Sequence, residues 1–258
     1  LSHFFAVDTF MTTFIVATLF YSLRVAQHGR RRDSVMAGLM FGLAMATKFS
    51  VMPLGVAIVV AHVIFATSKK GDRYEAGDDE TASSDGDGRQ WASFQNLVIL
   101  GLTVLAVLIV VQPYMFLDFK TYIDNISTQG EMVRREVDFP FTRQYEDTPR
   151  YIYQIVQLGT WGLGPVLGIT VWLGLLGAVV AAIFKRRKAD LVILAWILPY
   201  LLVNGWFDVK FMRYMMPITP LLILYGARFT WWMYESFRAL QPNRRWFRVL
   251  PIAILLFF

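Results

Sequence analysis

Apolar residues in this chain of 258 residues occur in long continuous runs, separated by short polar and basic segments. A helix needs about 20 mostly apolar residues to cross the hydrocarbon core of a bilayer. The runs predict membrane spans at about 9–25, 34–48, 52–68, 96–113, 163–184, 190–205 and 213–234, with a truncated span that begins near 249. The predicted fold class is therefore all-α, a polytopic transmembrane helical bundle of about seven spans plus the truncated one.

The segment 34–68 allows two interpretations, because Lys48, Ser50 and Pro53 interrupt it. At about 1.5 Å per residue it is too long for one crossing and slightly short for two. A hairpin that turns at 48–53 places the basic clusters 30–32, 185–188 and 244–245 on one side of the membrane. Positive residues prefer the cytoplasmic side, so we predict the hairpin and cytoplasmic clusters.

Composition narrows the class of protein further. Hydrophobic residues make up 56% of the chain and charged residues 17%, which is too apolar for an ordinary soluble domain and indicates a multi-pass protein of the cell membrane. The net charge of +6 lies in short loops, so nucleic acid is not an expected partner. No cysteine is present, which excludes disulfides and thiolate chemistry, and His3, His28 and His62 are too scattered to suggest a metal site.

Three ranges describe the predicted organisation. Residues 1–258 form one transmembrane domain, which we expect to be a fragment that lacks an N-terminal part, since it starts without Met and stops inside an apolar run. Residues 69–95 are predicted to be a disordered cytoplasmic loop, because 77–88 is acidic and small. The acidic run lacks the residue order of an EF-hand calcium loop. Residues 113–161 are predicted to be an extracytoplasmic loop.

The long loop 113–161 mixes aromatic and charged residues over 139–151. Loops of this length are usually functional or disordered, and the aromatic content argues against disorder. Aromatic faces beside carboxylates and amides suit a sugar ring. An interfacial helix with an aromatic belt is an equally good interpretation for Tyr151, Tyr153 and Trp161.

Four charged residues are predicted at the extracytoplasmic ends of spans: Asp8, Lys48, Lys210 and Arg213. An ionisable side chain at membrane depth is costly unless it is paired, hydrated or functional. Structural roles are open for each of them. Lys48 and Arg213 can extend to lipid headgroups, Asp8 can cap a helix, and Lys210 can pair with Asp208.

Three short motifs carry a resemblance to a known family: SHFFAVDTF at 2–10, GLAMATKF at 42–49 and KFMRYMMP at 210–217. They resemble segments of GT-C glycosyltransferases of the protein O-mannosyltransferase and aminoarabinose-transferase type. The resemblance implies transfer of a sugar from a polyprenyl-phosphate donor, at the outer face of the lipid bilayer, to a glycan, lipid or protein acceptor. It also implies a principal catalytic acid in a loop that would precede Leu1.

Roles for individual residues follow from this resemblance. Cations can stabilise the charge that develops on a departing lipid phosphate, and Arg213 can hold two phosphate oxygens at once. A carboxylate can deprotonate the acceptor or hold a divalent ion, so the metal requirement stays open and no cofactor is certain. The assignments are Asp8 as catalytic or supporting acid, Lys48, Lys210, Arg213 and Tyr214 at the donor phosphate, and Arg143 and Tyr145 at the acceptor or sugar.

Two other functions fit a chain of this kind. A lipid-sugar transporter or flippase would also place cations near a phosphate, but it should have polar residues deep within several spans or paired broken helices. Few such residues are present. A non-catalytic membrane scaffold is the third hypothesis, and it leaves the charges at one face unexplained.

Overall fold

A computed structural model describes residues 7–68, 86–185 and 187–240. The regular structure in these residues is helical, which confirms the predicted all-α class. The α-helices are α1 Val7–His28, α2 Arg31–Thr47, α3 Leu54–Thr67, α4 Gly86–Val111, α5 Tyr114–Leu117, α6 Phe119–Val133, α7 Ile152–Gln157, α8 Pro165–Lys185, α9 Lys188–Trp206 and α10 Thr219–Leu240. Shorter 3₁₀ turns lie at Phe49–Val51, Pro140–Tyr145 and Met212–Met215, and a π turn lies at Leu158–Gly162.

Helices cover all seven of the predicted spans, and among the described residues five segments are long and apolar enough to cross a membrane. Those five are Val7–His28, Phe49–Thr67, Asp87–Val111, Pro165–Lys185 and Lys188–Trp206. The helix α2 has 17 residues and begins with charged side chains. The helix α10 is more polar, because it carries Arg228, Glu235 and Arg238. The truncated span near 249 lies outside the described residues.

The chain forms two compact units. The first unit contains Leu1–Met132 and Leu191–Tyr200, and the second contains Val133–Asp190 and Leu201–Phe258. The long helix α9 therefore contributes residues to both.

The first unit packs α1, α2, α3 and α4 around the small residues of α2. A side-chain carbon at Gly38 would lie 2.8 Å from the Leu100 carbonyl oxygen of α4, and one at Gly42 would lie 2.9 Å from Val107. These glycines therefore let the two helix backbones approach closely, as small residues do between membrane helices. Ala37 and Ala44 are completely buried in the same helix.

The hairpin predicted within 34–68 is confirmed. The hydroxyl of Ser34, near the start of α2, lies 3.3 Å from His62 Nε2, near the end of α3. Closer to the turn, a side-chain carbon at Gly55 would lie 3.8 Å from the Phe41 ring. The two helices are therefore antiparallel, and the 3₁₀ turn Phe49–Val51 lies between them.

The predicted disordered loop 69–95 is wrong in its last ten residues, because α4 begins at Gly86. The first turns of α4 carry three polar side chains on one face, spaced four and three residues apart. Each of these side chains donates a hydrogen bond to a backbone carbonyl. The pairs are Arg89 to Ser68, Ser93 to His62 at 2.9 Å, and Asn96 to Gly29 at 2.9 Å. These partners satisfy carbonyls at the ends of neighbouring helices and hold the start of α4. Residues 69–85 lie outside the described part of the chain.

The connection predicted as a loop at 113–161 contains α5, α6, a 3₁₀ turn, α7 and most of a π turn. The helix α6 has no buried residues, and its Tyr122 packs edge-to-face on Phe49 with ring centroids 6.4 Å apart. Aromatic and apolar side chains on a mostly polar sequence favour a helix that lies along a surface. Of the residues named for an aromatic belt, Trp161 is 80% exposed.

The second unit is built on the crossing of α8 and α10. A side-chain carbon at Gly174 would collide with the Tyr225 backbone, and one at Gly226 would lie 2.8 Å from the Val171 side chain. The same unit places Tyr151 over Gly205, with the Tyr151 amide donating to the Gly205 carbonyl at 3.2 Å. Tyr151 has a φ of +63°, a conformation that costs energy for a non-glycine residue.

Candidate functional site

Asp8 and Lys48 form an ion pair across the first unit, although they lie 40 residues apart in the chain. Lys48 Nζ donates to Asp8 Oδ1 at 3.1 Å. Asp8 is 4% exposed, whereas the Lys48 side chain is 32% exposed. The pair therefore joins a buried carboxylate to a cation that solvent or a ligand can reach.

The ends of α1 and α2 place this pair. Asp8 is the second residue of α1, where an acidic side chain is favoured by the helix dipole. Lys48 follows the last residue of α2 in extended conformation, and its amide still donates to the Ala44 carbonyl at 3.1 Å. From α4, Gln112 Nε2 donates to the Ala46 carbonyl at 3.2 Å and ties a third helix to the same end.

The structure can be compared with the helix-capping role considered for Asp8 and the headgroup contact considered for Lys48. Asp8 lies inside the first turn, and its carboxylate is engaged by Lys48. Lys48 is directed at Asp8, so extension to lipid headgroups does not by itself account for its position. The pair gives both side chains a reason to lie at this end of the unit, and leaves the catalytic assignment of Asp8 as a prediction.

A second ion pair at the opposite end of α1 and α2 was missed by the sequence analysis. Arg24 Nε donates to Asp33 Oδ1 at 2.9 Å, and the side chains are 39% and 3% exposed. The available signal was a basic residue near the end of α1, followed by an acidic residue in the first turn of α2. The burial pattern matches that of Lys48 and Asp8, which makes this pair a natural control.

Lys210 is buried in the second unit, where three oxygens surround its ammonium group. Nζ donates to Thr148 Oγ1 at 3.0 Å, to the Thr148 carbonyl at 3.4 Å and to the Asp208 carbonyl at 3.0 Å. Lys210 is 2% exposed, and this burial lowers its pKa. In this arrangement the side chain links the segment around Thr148 to the segment around Asp208.

The sequence left open a pairing between Lys210 and the Asp208 carboxylate, and the structure pairs this carboxylate with Arg150. That carboxylate accepts from Arg150 Nη2 at 3.0 Å, and the Arg150 guanidinium lies over the Trp206 ring at 4.4 Å. The planar guanidinium can hold a carboxylate and stack on an aromatic face at once, which an ammonium group cannot do. Lys210 binds the Asp208 backbone instead.

Arg213 and Tyr214 lie in the 3₁₀ turn Met212–Met215 that precedes α10. Arg213 is exposed, and its guanidinium carbon lies 4.8 Å from the centre of the Phe211 ring and 5.7 Å from that of Tyr214. The rings of Phe211 and Tyr214 pack edge-to-face. Aromatic rings thus support a cation whose outer edge is open to ligand.

Tyr145 and Arg143 differ in how far they are available for binding. Tyr145 is 8% exposed and packs edge-to-face on Phe211 at 5.4 Å and on Tyr153 at 5.9 Å, and its burial raises the pKa of its hydroxyl. Arg143 is exposed and donates to Asp138 at 3.0 Å. The described position of Tyr145 is that of a packing residue beneath the Arg213 turn, so its predicted contact with sugar would require a rearrangement.

The two groups of predicted site residues belong to different units. Asp8 and Lys48 lie in the first, and Lys210, Arg213 and Tyr214 lie in the second. Convergence of both groups on one donor phosphate therefore stays a prediction. Among the described residues, no group of three His, Asp or Glu side chains comes together in a way that could hold a metal ion.

Residues 1–73 match the model of a family described as dolichyl-phosphate-mannose-protein mannosyltransferase. The resemblance to the GT-C glycosyltransferases is confirmed by this match. The matched part includes Asp8, Lys48 and the helices α1, α2 and α3. Comparison of the chain with curated proteins and with solved structures gave no match. The GT-C match and the apolar helices together support a membrane glycosyltransferase.

Proposed function

We propose that this chain is part of a multi-pass enzyme of the cell membrane that transfers a sugar from a polyprenyl-phosphate donor to an acceptor at the extracytoplasmic face. The observation that carries the proposal is the Asp8–Lys48 pair. It lies at one end of α1 and α2, inside the segment that is similar to the mannosyltransferase family. The acceptor is a glycan, a lipid or a protein.

Asp8 and Lys48 have complementary chemical roles in this reaction. An acceptor attacks the anomeric carbon, the bond from that carbon to the phosphate oxygen breaks, and the lipid phosphate leaves with the bonding electrons. The half-exposed ammonium group of Lys48 stabilises the charge that gathers on the phosphate. The Asp8 carboxylate accepts the acceptor proton, or supports another base by holding Lys48 in position.

Arg213 is the second proposed contact to the donor phosphate. Its guanidinium is exposed and is held from one side by Phe211 and Tyr214. A planar guanidinium offers paired N–H groups to two phosphate oxygens. This assignment predicts that Arg213→Lys impairs transfer, because the charge remains and the fork is lost, and that Arg213→Ala impairs it more.

The test compares the two ion pairs of α1 and α2 in the intact protein. Asp8→Asn and Asp33→Asn each remove one buried negative charge with little change in shape, at opposite ends of the same helices. Membranes containing each variant are supplied with polyprenyl-phosphate mannose, and the release of polyprenyl phosphate is measured. Asp8→Asn should lower the rate about 100-fold or more, the scale of a lost acid–base group.

Asp33→Asn serves as the control, and its rate should stay within a few fold of wild type after correction for the amount of folded protein. Exchange of the pair, Asp8→Lys with Lys48→Asp, should keep the protein folded without recovering transfer, because the charges then lie in reversed places. If Asp8→Asn and Asp33→Asn are equally active, the Asp8–Lys48 pair has only a structural role and the proposed site is wrong.

A further inference from the structure

A groove of about 590 Å³ runs between α8 and α10 in the second unit, and none of the residues assigned to the donor or acceptor lines it. Its volume lies within the range of about 300–1,000 Å³ that is usual for ligand pockets. It starts where Gly174 of α8 meets Tyr225 of α10, and it extends toward Lys185 and Glu235. The walls are mainly apolar, with Leu173, Leu176, Val180, Phe184, Phe229 and Trp232 among them.

The end of the groove near Lys185 is basic. Lys185 is the last residue of α8, and Arg187 precedes the first residue of α9, and both are exposed. Arg228 also lines the groove, but its Nη1 atom donates to the buried Asp190 at 2.6 Å. Among the described residues, Lys185 and Arg187 therefore add exposed positive charge at this end.

Aromatic side chains lie beside the same charges. Trp231 is 63% exposed and Trp232 is 59% exposed, and Trp231 Nε1 donates to Glu235 at 2.9 Å. Because Trp side chains favour the boundary between headgroups and acyl chains, they mark this end of α10 as interfacial. The groove thus runs from an apolar crossing to a basic, aromatic rim.

We propose that this groove binds an anionic phospholipid. One acyl chain lies between α8 and α10, and the phosphate group contacts Lys185 and Arg187. A basic rim between membrane helices attracts anionic headgroups. The apolar walls suit an acyl chain, because an acyl chain needs no hydrogen bonds. Charge complementarity selects an anionic lipid over a zwitterionic one of the same chain length. The proposal uses none of the residues assigned to transfer, so the two proposals can fail independently.

The experiment uses the intact protein in nanodiscs and two photoreactive lipids that carry the same diazirine acyl chain, phosphatidylglycerol and phosphatidylcholine. After irradiation, mass spectrometry measures labelling of peptides from α8 and α10. We expect phosphatidylglycerol to label these peptides about 25-fold more, since Lys185 and Arg187 each favour an anionic lipid by about fivefold. Lys185→Ala with Arg187→Ala should remove this preference.

Two matched controls separate the groove from general membrane effects. Arg31→Ala with Arg32→Ala removes the same charge from another basic segment and should leave the preference intact. Gly177 lines the groove and has open space where a side chain would begin, so Gly177→Phe should fill the groove and lower labelling at least about fivefold. Gly101 in α4 has the same open space, and Gly101→Phe should not change labelling of α8 and α10.

Several results would overturn the proposal. Equal labelling by the two lipids would show that charge does not select the occupant, and unchanged labelling in Gly177→Phe would place the lipid elsewhere. An absence of labelling by both lipids would mean that protein covers the groove. If dolichyl phosphate displaces the label and excess phosphatidylglycerol does not, the groove belongs to a polyprenyl lipid instead.

Discussion

Lys210 illustrates how this protein accommodates a buried charge. Its ammonium group is enclosed by the Thr148 hydroxyl, the Thr148 carbonyl and the Asp208 carbonyl, which replace water as hydrogen-bond acceptors. A buried cation is costly unless such partners are present. At the scale of single residues, the side chain therefore acts as a link between two segments of the second unit.

Removal of the Lys210 hydrogen-bond donors should destabilise the second unit. Lys210→Met keeps much of the side-chain volume but leaves three oxygens without their donor, which should cost about 1–3 kcal/mol. The thermal unfolding midpoint in nanodiscs measures the effect. Lys120→Met is the control, because Lys120 is exposed on α6 and its loss should change little. Equal midpoints for Lys210→Met and wild type would show that the three contacts add no stability.

The same residue gives a prediction about pH. Burial lowers the pKa of Lys210 below its ordinary value of 10.5 in the folded protein, so the unfolded chain binds one more proton between those two values. The contribution of Lys210 to stability therefore rises with pH through the lowered pKa and levels off above the ordinary value. Lys210→Met should lack this rise. Parallel curves of unfolding midpoint against pH for wild type and variant would contradict the burial effect.

Several close approaches between helices of the described residues occur at glycines. Gly38 and Gly42 of α2 face α4, and Gly174 of α8 faces α10. Lipid tails are as apolar as helix side chains, so membrane helices associate through close packing of this kind. At the scale of elements, the arrangement of each unit depends on small residues at contacts more than on the total apolar content of a helix.

Two glycines of α8 test this dependence, because they lie one turn apart and differ in their surroundings. A side-chain carbon at Gly174 would overlap the Tyr225 backbone, whereas one at Gly177 would meet open space. Gly174→Ala should separate α8 from α10 and destabilise the unit by about 1–3 kcal/mol. Gly177→Ala should be neutral or stabilise α8 by up to about 1 kcal/mol. Unfolding midpoints of both variants measure the difference, and similar values would contradict the crossing geometry.

At the scale of the whole molecule, the helix ends of the first unit form two groups, and this grouping predicts which side of the membrane each group faces. Asn96 contacts Gly29 at one end, and Gln112 contacts Ala46 at the end that holds Lys48. The arginines at 30–32 favour the cytoplasm for the first of these ends. The end with Asp8 and Lys48 should then face the outside.

Single cysteines can test this topology cleanly, since the chain has none of its own. An impermeant maleimide added to intact cells should label Asn125→Cys on the exposed surface of α6 and should not label Arg32→Cys before the membrane is permeabilised. Disrupted cells should label both, which controls for accessibility of the thiols. The reverse pattern would place Asp8 and Lys48 in the cytoplasm and contradict the proposed face of transfer.

Sequence reasoning located the helices because the requirement for a membrane span is local. A continuous apolar run must satisfy its own backbone hydrogen bonds inside the bilayer, and a helix does so within one segment. The all-α class and the helices within the predicted spans followed from that requirement. The hairpin at 48–53 followed from run length together with the side preference of arginine, and the contact of Ser34 with His62 confirms it.

The site was anticipated only in its residue types. The sequence singled out Asp8, Lys48, Lys210 and Arg213, and the match to the mannosyltransferase family covers the first two. It did not indicate that Asp8 and Lys48 pair, that Asp208 pairs with Arg150, or that Tyr145 is buried against Phe211. Each of these contacts joins residues that only tertiary packing brings together, so no local pattern contained them.

Hydropathy and charge belong to each segment alone, so the membrane class, the helices and the charged positions can be read from the sequence. Which charges meet, and where polar helix ends find partners, depends on how the helices pack. The start of α4 shows the reason: its acidic and polar sequence predicts disorder, yet Arg89, Ser93 and Asn96 find carbonyls on other helices. Such partners exist only after the helices have packed, so the free energy that orders this segment comes from contacts far away in the chain.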